Sequence, residues 1–284
     1  MESIIISDEE DLENKKISIF QDGSNKFHVI SDFDRTLTKA FVNGEKTPSI
    51  ISELRKGNYL SKEYQELANE LAEKYHPIEV DSNLSIKEKK KAMHEWWSKH
   101  FELLIKSGLN KSHIQKIVDS DRIKPRQKSL EFLDFLHEND IPIVILSSAG
   151  LGGDSIRMFL EKHGRLYDNI HIVSNEYEWS SDGLAIEAKK PIIHSFNKDE
   201  AMLKNYDFYD KIKDRKNVLL LGDSLGDLEM VHGFNYDTLI KVGFLNENVN
   251  ENLETYKKNF DLIILNDGSM NHVNKMLKEI FGEK

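Results

Sequence analysis

Three short stretches carry residues able to do chemistry, and each follows an apolar run. Val29-Ile30 leads into Ser31-Asp32-Phe33-Asp34-Arg35-Thr36, where two carboxylates stand one residue apart. Ile141 to Leu146 runs into Ser147-Ser148-Ala149-Gly150, and Val218 to Leu221 runs into Gly222-Asp223-Ser224-Leu225-Gly226-Asp227. Alternate side chains of a strand share a face, so acids at a fraying strand end can be aimed into one space. Two such acids repel unless a cation sits between them or one keeps its proton. A divalent metal at the carboxyl end of a buried strand would relieve that repulsion and would also attract phosphate. Lys189-Lys190, between the second and third stretches, offers local positive charge. The acid pair alone fits a polar loop equally well; its weight comes from the company it keeps.

These stretches need a scaffold that brings strand ends together. The chain of 284 residues is 39% hydrophobic and 31% charged, enough for one large domain or a core with an inserted module. Apolar runs alternate with helical periodicities from about residue 123 onward. Helices are expected near 127–139, 155–163, 194–203 and 270–280, and buried strands at Ile141–Leu146, Ile170–Val173, Val218–Leu221, Leu239–Val242 and Leu262–Leu265. That alternation predicts an α/β fold with a parallel, Rossmann-like sheet, in which ligands sit beyond the carboxyl ends of the strands. A hairpin or loop is expected around Asp182-Gly183. Residues 1–26 read as a peripheral helix or a loose segment.

Residues 41–122 differ in character. Charged runs alternate with apolar residues at helical spacing, as in Leu60, Tyr64, Leu67, Leu71 and Tyr75, and again in Met93, Trp96, Trp97, Phe101 and Leu104. Pro77 is expected to interrupt the first helix, and Ser85 with Glu88 has the spacing of a capping box. The block reads as an inserted helical cap without strands, leaving 1–40 and 123–284 as the core.

The formal net charge of −10 makes a nucleic acid polymer an unfavourable partner. The absence of cysteine excludes disulfides and thiolate chemistry. No apolar stretch approaches the length of a membrane span and no secretory leader is evident, so no membrane partner is expected and a cytoplasmic location is.

The four features taken in order resemble the haloacid-dehalogenase-like phosphatase superfamily. Its D-x-D-x-T motif corresponds to Asp32–Thr36, its strand-end hydroxyl to Ser148 and its acidic motif to Gly222–Asp227. Its lysine falls at Lys189, with Lys190 as the rival. The resemblance implies that Asp32 is a nucleophile and Asp34 the general acid and base. It implies Mg2+ held by Asp32, the main-chain carbonyl of Asp34 and Asp223, with Asp227 supporting the ion or its waters. Ser148, nearby amides and Lys189 would hold the phosphoryl oxygens. Arg35 is expected to face solvent.

A narrower resemblance rests on Ile78-Glu79-Val80-Asp81, Glu95-Trp96-Trp97, Ser148-Ala149-Gly150, Phe196-Asn197-Lys198 and Leu221-Gly222-Asp223-Ser224. Together these resemble the class III cytosolic 5′-nucleotidases, the pyrimidine 5′-nucleotidase family with 7-methylguanosine-phosphate-specific members. Gapless counting from Ser174-Asn175 to Phe196-Asn197-Lys198 is what places the family lysine at Lys189. The family's base-recognising glutamate falls at Glu79 and its stacking aromatic at Trp97. A carboxylate can accept from an exocyclic amino group, and tryptophan offers a strong face to a charged base. A family aromatic is replaced by Ala40, with Phe41 beside it as a substitute, and the loop after Ala149-Gly150 is one residue longer than expected. The resemblance implies a magnesium-dependent 5′-nucleotidase acting on a small nucleoside monophosphate, expected to be a monomer. The alternatives are a phosphatase for another small phosphomonoester and a catalytically idle nucleotide-binding protein.

Overall fold

The computed structural model describes residues 4–81, 83–232 and 234–282. Its strands are β1 (Ile4–Ile6), β2 (Phe27–Ser31), β3 (Phe41–Val42), β4 (Glu45–Lys46), β5 (Ile143–Leu146), β6 (Ile170–Val173), β7 (Tyr177–Trp179), β8 (Ala185–Ala188), β9 (Asn217–Gly222), β10 (Thr238–Leu245) and β11 (Leu262–Leu265). Its helices are α1 (Glu9–Asp22), α2 (Ile50–Lys56), α3 (Lys62–Val80), α4 (Ile86–Lys106), α5 (Lys111–Asp119), α6 (Ser129–Glu138), α7 (Gly153–Lys162), α8 (Tyr209–Ile212), α9 (Val249–Lys257) and α10 (Asn271–Phe281).

Seven strands make the central sheet in the order β1-β11-β10-β9-β2-β5-β6. All neighbours are parallel except β1, which runs antiparallel to β11 at one edge. The continuous apolar runs become strands covered on both faces. Val29, Ile143, Ile145, Leu219 and Leu221 point into one apolar layer, and Ile30, Val144, Leu146 and Leu220 into the other. From β2 the chain builds outward through β5 and β6, then returns to the opposite side as β9, β10 and β11. The strand order therefore reverses beside β2, which is where a doubly wound sheet opens a crevice at its carboxyl edge.

Between β2 and β5 the chain leaves the sheet and forms α2 to α5. Apolar residues at helical spacing pack α3 on α4 through Tyr75, Met93 and Trp96, and the Ser85–Glu88 capping box starts α4. The two stems of this excursion are zipped together. Lys39 N donates to Lys124 O at 2.9 Å and Arg126 N to Leu37 O at 2.8 Å. The fully buried Arg126 guanidinium reaches back to the carbonyls of Thr36 at 2.7 Å and Gly268 at 2.7 Å, and to that of Arg35. It also pairs with Asp267 at 3.2 Å and lies over the Phe244 ring.

Several expectations are corrected. Of the two readings of residues 1–26, the helix is the one seen, as α1, and residues 4–6 add an edge strand that was not expected. The excursion is not strand-free, since β3 and β4 form a small antiparallel hairpin. Pro77 does not break α3: it lies in the last turn, where its missing N–H removes one hydrogen bond and the helix still runs to Val80. Residues 194–199 are an irregular strap rather than a helix, with a 3-10 turn following at Glu200–Asn205. The expected hairpin around Asp182-Gly183 forms as β7 and β8.

Candidate active site

The register places the three chemistry-bearing stretches at one edge of the sheet. Ser31 pairs with Ile145 on β5 and with Leu221 on β9, so Asp32, Ser148 and Asp223 all emerge where these neighbouring strands end. Asp32 N donates to Leu221 O at 3.0 Å, which fixes the first acid beside the third motif. The turn that follows is closed by bonds from Leu37 N to Phe33 O at 3.0 Å and from Arg35 N to Thr38 Oγ1 at 2.8 Å.

Asp32, Asp223 and Asp227 present carboxylate oxygens that all lie within 4.8 Å of one another. Asp227 is committed to shaping its own loop. Its Oδ2 accepts from Asp223 N at 3.2 Å, Ser224 N at 3.0 Å and Ser224 Oγ at 2.9 Å, while Oδ1 accepts from Lys198 Nζ at 3.1 Å. Gly222 permits this closeness, because a Cβ there would stand 2.5 Å from that of Asp227. Asp34 lies outside the carboxylate cluster and is half-buried; its expected metal contact runs through the main-chain carbonyl.

The lysine of the site is Lys198, not Lys189. Lys198 Nζ is buried and donates to both Asp32 and Asp227. Lys189 has a side chain 57% exposed and pairs with Glu176 at 3.1 Å, away from the acids. Gapless counting took Phe196-Asn197-Lys198 as a landmark, whereas that triplet itself carries the lysine that reaches Asp32 and Asp227. Folding decides between the two through Asn175, whose Nδ2 donates to Ile193 O at 2.9 Å and whose Oδ1 accepts from Ile193 N at 2.8 Å. This clamp brings the strap over the strand ends, and no local sequence pattern announces it.

Electrostatics follow from crowding acids out of water. Burial pushes Asp32 up to about 7, with Asp227 and Asp34 adding to the rise and Lys198 opposing it. Burial raises Asp34 to about 6 against the pull of Arg35 and Lys198. Asp223 is driven well above the usual carboxylate range by burial and by the charges of Asp227 and Asp32. Burial alone would lower Lys198, but Asp32 and Asp227 outweigh it and hold the ammonium protonated. A cluster that cannot carry its full charge unaided, with hard oxygen donors only, fits a divalent cation such as magnesium.

The serine loop is held firmly. Ala149 O accepts from Gly152 N at 3.1 Å and from Asn175 Nδ2 at 3.3 Å, and Gly150 O accepts from the Tyr177 hydroxyl at 2.6 Å. Ser148 is half-buried at the start of this loop, and Ser147 is buried and bonded through its N–H to Val173 O. Trp97 packs against the loop so closely that a Cβ on Gly150 would lie 2.5 Å from its ring.

A cavity of about 1040 Å³, ample for a nucleotide, opens on that tryptophan and is lined by Arg35, Thr47, Glu79, Trp96, Trp97 and His100 among others. Arg35 thus faces the cavity rather than open solvent alone. Trp96 is only 7% exposed and belongs to the cluster between α3 and α4. Trp97 is half-buried, its ring near-parallel to that of Trp96 and to that of the buried, neutral His100, each with centroids 5.7 Å away. Glu79 lies in the last turn of α3, its Oε1 accepting from Ser195 Oγ at 2.7 Å. Phe41 is not among the cavity's lining residues; it sits in β3, where its N–H donates to Asp267 at 3.1 Å.

Arg126 was not singled out from the sequence, though its side chain ties the carbonyls of Arg35 and Thr36, just after the acid pair, to that of Gly268. Nothing near Pro125-Arg126 distinguishes it from a surface arginine.

Comparison with known proteins bears on the family and the fold. The family described as Pyrimidine 5′-nucleotidase (UMPH-1) matches residues 35–281. The chain is 35% identical over 259 residues to the Mus musculus 7-methylguanosine phosphate-specific 5′-nucleotidase, covering 91% of this chain and 86% of that protein. The crystal structure of cytosolic 5′-nucleotidase IIIB bound to cytidine matches with a TM-score of 0.88 at 29% identity, covering 98% of this chain and 93% of that one. A phosphoserine phosphatase captured as a phospho-aspartyl intermediate analogue matches in fold alone, with a TM-score of 0.52 at 15% identity over 87% of this chain and 96% of that one. Among the described residues, no helix is long and apolar enough to cross a membrane. The chain belongs to the pyrimidine 5′-nucleotidase (UMPH-1) family of phosphoric monoester hydrolases.

Proposed function

We propose that this protein hydrolyses nucleoside 5′-monophosphates, a pyrimidine nucleotide or 7-methyl-GMP, at the acid cluster, which Arg35 and the serine loop against Trp97 join to the cavity lined by Trp97 and Glu79. Residues 41–122 form the cap that selects the base, and residues 1–40 with 123–284 form the catalytic core. The observation that carries the reading is the buried Lys198 bridging Asp32 and Asp227 at a sheet edge whose serine loop touches Trp97.

Asp32 attacks phosphorus, the bond from phosphorus to the ribose 5′-oxygen breaks, and the leaving oxygen takes the proton of Asp34. The raised Asp34 suits a group that must hold a proton near neutral pH and then remove one from water. That water attacks the aspartyl-phosphate, releases inorganic phosphate and restores Asp32. Asp32, the Asp34 carbonyl and Asp223, with Asp227 in support, would hold a magnesium ion, which when bound would supply charge neutralisation and orientation for the phosphoryl group. Lys198, Ser148 and the Ala149 and Gly150 amides bind its remaining oxygens, with Lys198 in the place first assigned to Lys189. Trp97 stacks on the base and Glu79 accepts from its amino edge. The proposed location is cytoplasmic, which suits a relative named as a cytosolic 5′-nucleotidase.

The test is phosphate release from CMP, UMP, AMP, GMP and 7-methyl-GMP, with magnesium and with chelator. Release from CMP, UMP or 7-methyl-GMP should exceed release from AMP. It should vanish with chelator and fall by roughly four orders of magnitude in Asp32→Asn. Undiminished turnover in Asp32→Asn would end the covalent reading, and no release from any monophosphate would favour an idle binding protein.

A further inference from the structure

The strap of residues 192–198 belongs to the sheet by connectivity, yet its outer side chains are built into the helical excursion. Phe196 packs into the apolar cluster that α3 and α4 make with Tyr75, Met93 and Trp96. The buried Lys89 of α4 holds its ammonium 5.4 Å from the Phe196 ring centroid and donates to Glu79 O at 3.0 Å. Ser195 donates to the Glu79 carboxylate, and the His194 ring meets that of His94 edge-on at 6.4 Å.

Two residues beyond Phe196, Lys198 turns the opposite way into the acids. The turn joining them is stiff. His194 N donates to Asn197 Oδ1 at 2.6 Å, Asn197 Nδ2 to Ile192 O at 2.8 Å and Asn197 N to His194 O at 3.1 Å. Asn175 fixes the inner end through Ile193, and a Cβ on Gly226 would come within 3.4 Å of Ser195 O, so the strap also lies against the Asp223–Asp227 loop. A short segment pinned at one end to the sheet and at the other to α3 and α4 passes displacement between them rather than absorbing it.

We infer that Phe196 is a positioning residue for Lys198: its seat between α3 and α4 sets where the lysine meets Asp32, so the excursion contributes to the phosphoryl chemistry as well as to substrate choice. The inference rests on the proposed reading of Lys198 as a phosphoryl donor, but not on the proposed base contacts of Trp97 and Glu79.

The test is a double-mutant cycle in the full chain, pairing Phe196→Ala with Lys198→Met and reading kcat per folded protein on CMP and on p-nitrophenyl phosphate, which has no base. Phe196→Ala should lower kcat on both substrates about tenfold, Phe196→Leu should recover most of that loss, and the cycle should be strongly non-additive because the alanine change acts through the lysine. Additive losses, or a Phe196→Ala variant with a lower Tm and an unchanged kcat, would overturn the inference. Should the alanine variant not fold, Phe196→Leu must still lose kcat by a measurable factor, and full activity there would likewise overturn it. If the base-recognition reading alone is wrong, Trp97→Ala leaves the CMP KM unchanged while the aryl phosphate arm of the cycle still responds.

Discussion

The sheet edge and the cavity under α3 and α4 differ in how far protein groups satisfy their polar atoms. At the sheet edge Asp227 alone takes four protein donors, Lys198 spans two acids, and the serine loop is tied down at successive carbonyls. Around the cavity, Thr47 Oγ1, Arg55 Nε, Trp96 Nε1 and His100 Nδ1 are buried with no hydrogen-bond partner among the described residues. An unpaired buried polar atom costs roughly 1–3 kcal/mol, a cost a bound polar ligand or water can remove. The sheet edge is prebuilt apart from the cation its acids call for and the unpaired Thr36 Oγ1, whereas the cavity is left open at several polar atoms, the division expected when chemistry is preorganised and specificity is adjustable.

That contrast can be broken most sharply at its lysines. Lys198→Met should lower kcat by roughly two to three orders of magnitude, the scale of losing one preorganised donor to developing charge. Lys189→Met should change kcat less than about twofold, because its ammonium is spent on an exposed pair worth little. Steady-state phosphate release from the two variants decides the assignment, and equal effects would erase it.

A smaller effect is expected on the cavity side. Trp97→Ala should raise the nucleotide KM about tenfold, since stacking a base on an aromatic ring contributes roughly 1–3 kcal/mol. Its kcat should fall by less. A change confined to kcat would move Trp97 from base binding to support of the Gly150 loop.

The smallest effect sharpens the electrostatic half of the comparison. Asp32 is raised to about 7 in the fold, against an ordinary value near 4 in the unfolded chain. Between those values the folded state holds the extra proton, so without metal its contribution to stability falls as pH rises through that window. Magnesium binds the ionised acids, so its stabilisation grows over the same range. Millimolar magnesium should raise Tm by about a few degrees at pH 8 and by little at pH 5. A scan with and without chelator at the two pH values checks it, and a shift larger at low pH would contradict it.

The same contrast governs what could be read from the sequence. Strands such as Val218–Leu221 are legible because burial on both faces demands an unbroken apolar run, and the polar residues after them mark the sheet edge directly. The capping box at Ser85 and the turn at Asp182-Gly183 were legible for equally local reasons. Lys198 was not, because two lysines nine residues apart differ only in the tertiary clamp that Asn175 places on Ile193. Pro77 misled because proline's cost depends on its place in the helix, and a last-turn position loses a single bond. Arg126 and the open polar atoms of the cavity arise from contacts between distant segments, which no periodicity encodes.

The zipped stems of the excursion, Lys39 against Lys124 and Leu37 against Arg126, mean that the chain departs from and rejoins the sheet at nearly one point. A block attached by so narrow a neck can be exchanged as a cassette without rethreading the strands beneath it. Grafting residues 41–122 from a relative with another base preference should therefore need matching at the neck, where Phe196 plugs into its underside, along Leu109–Lys111 where the backbone bonds to Ala185 and Gly183, and where Lys162 of α7 reaches Val118 and Asp121.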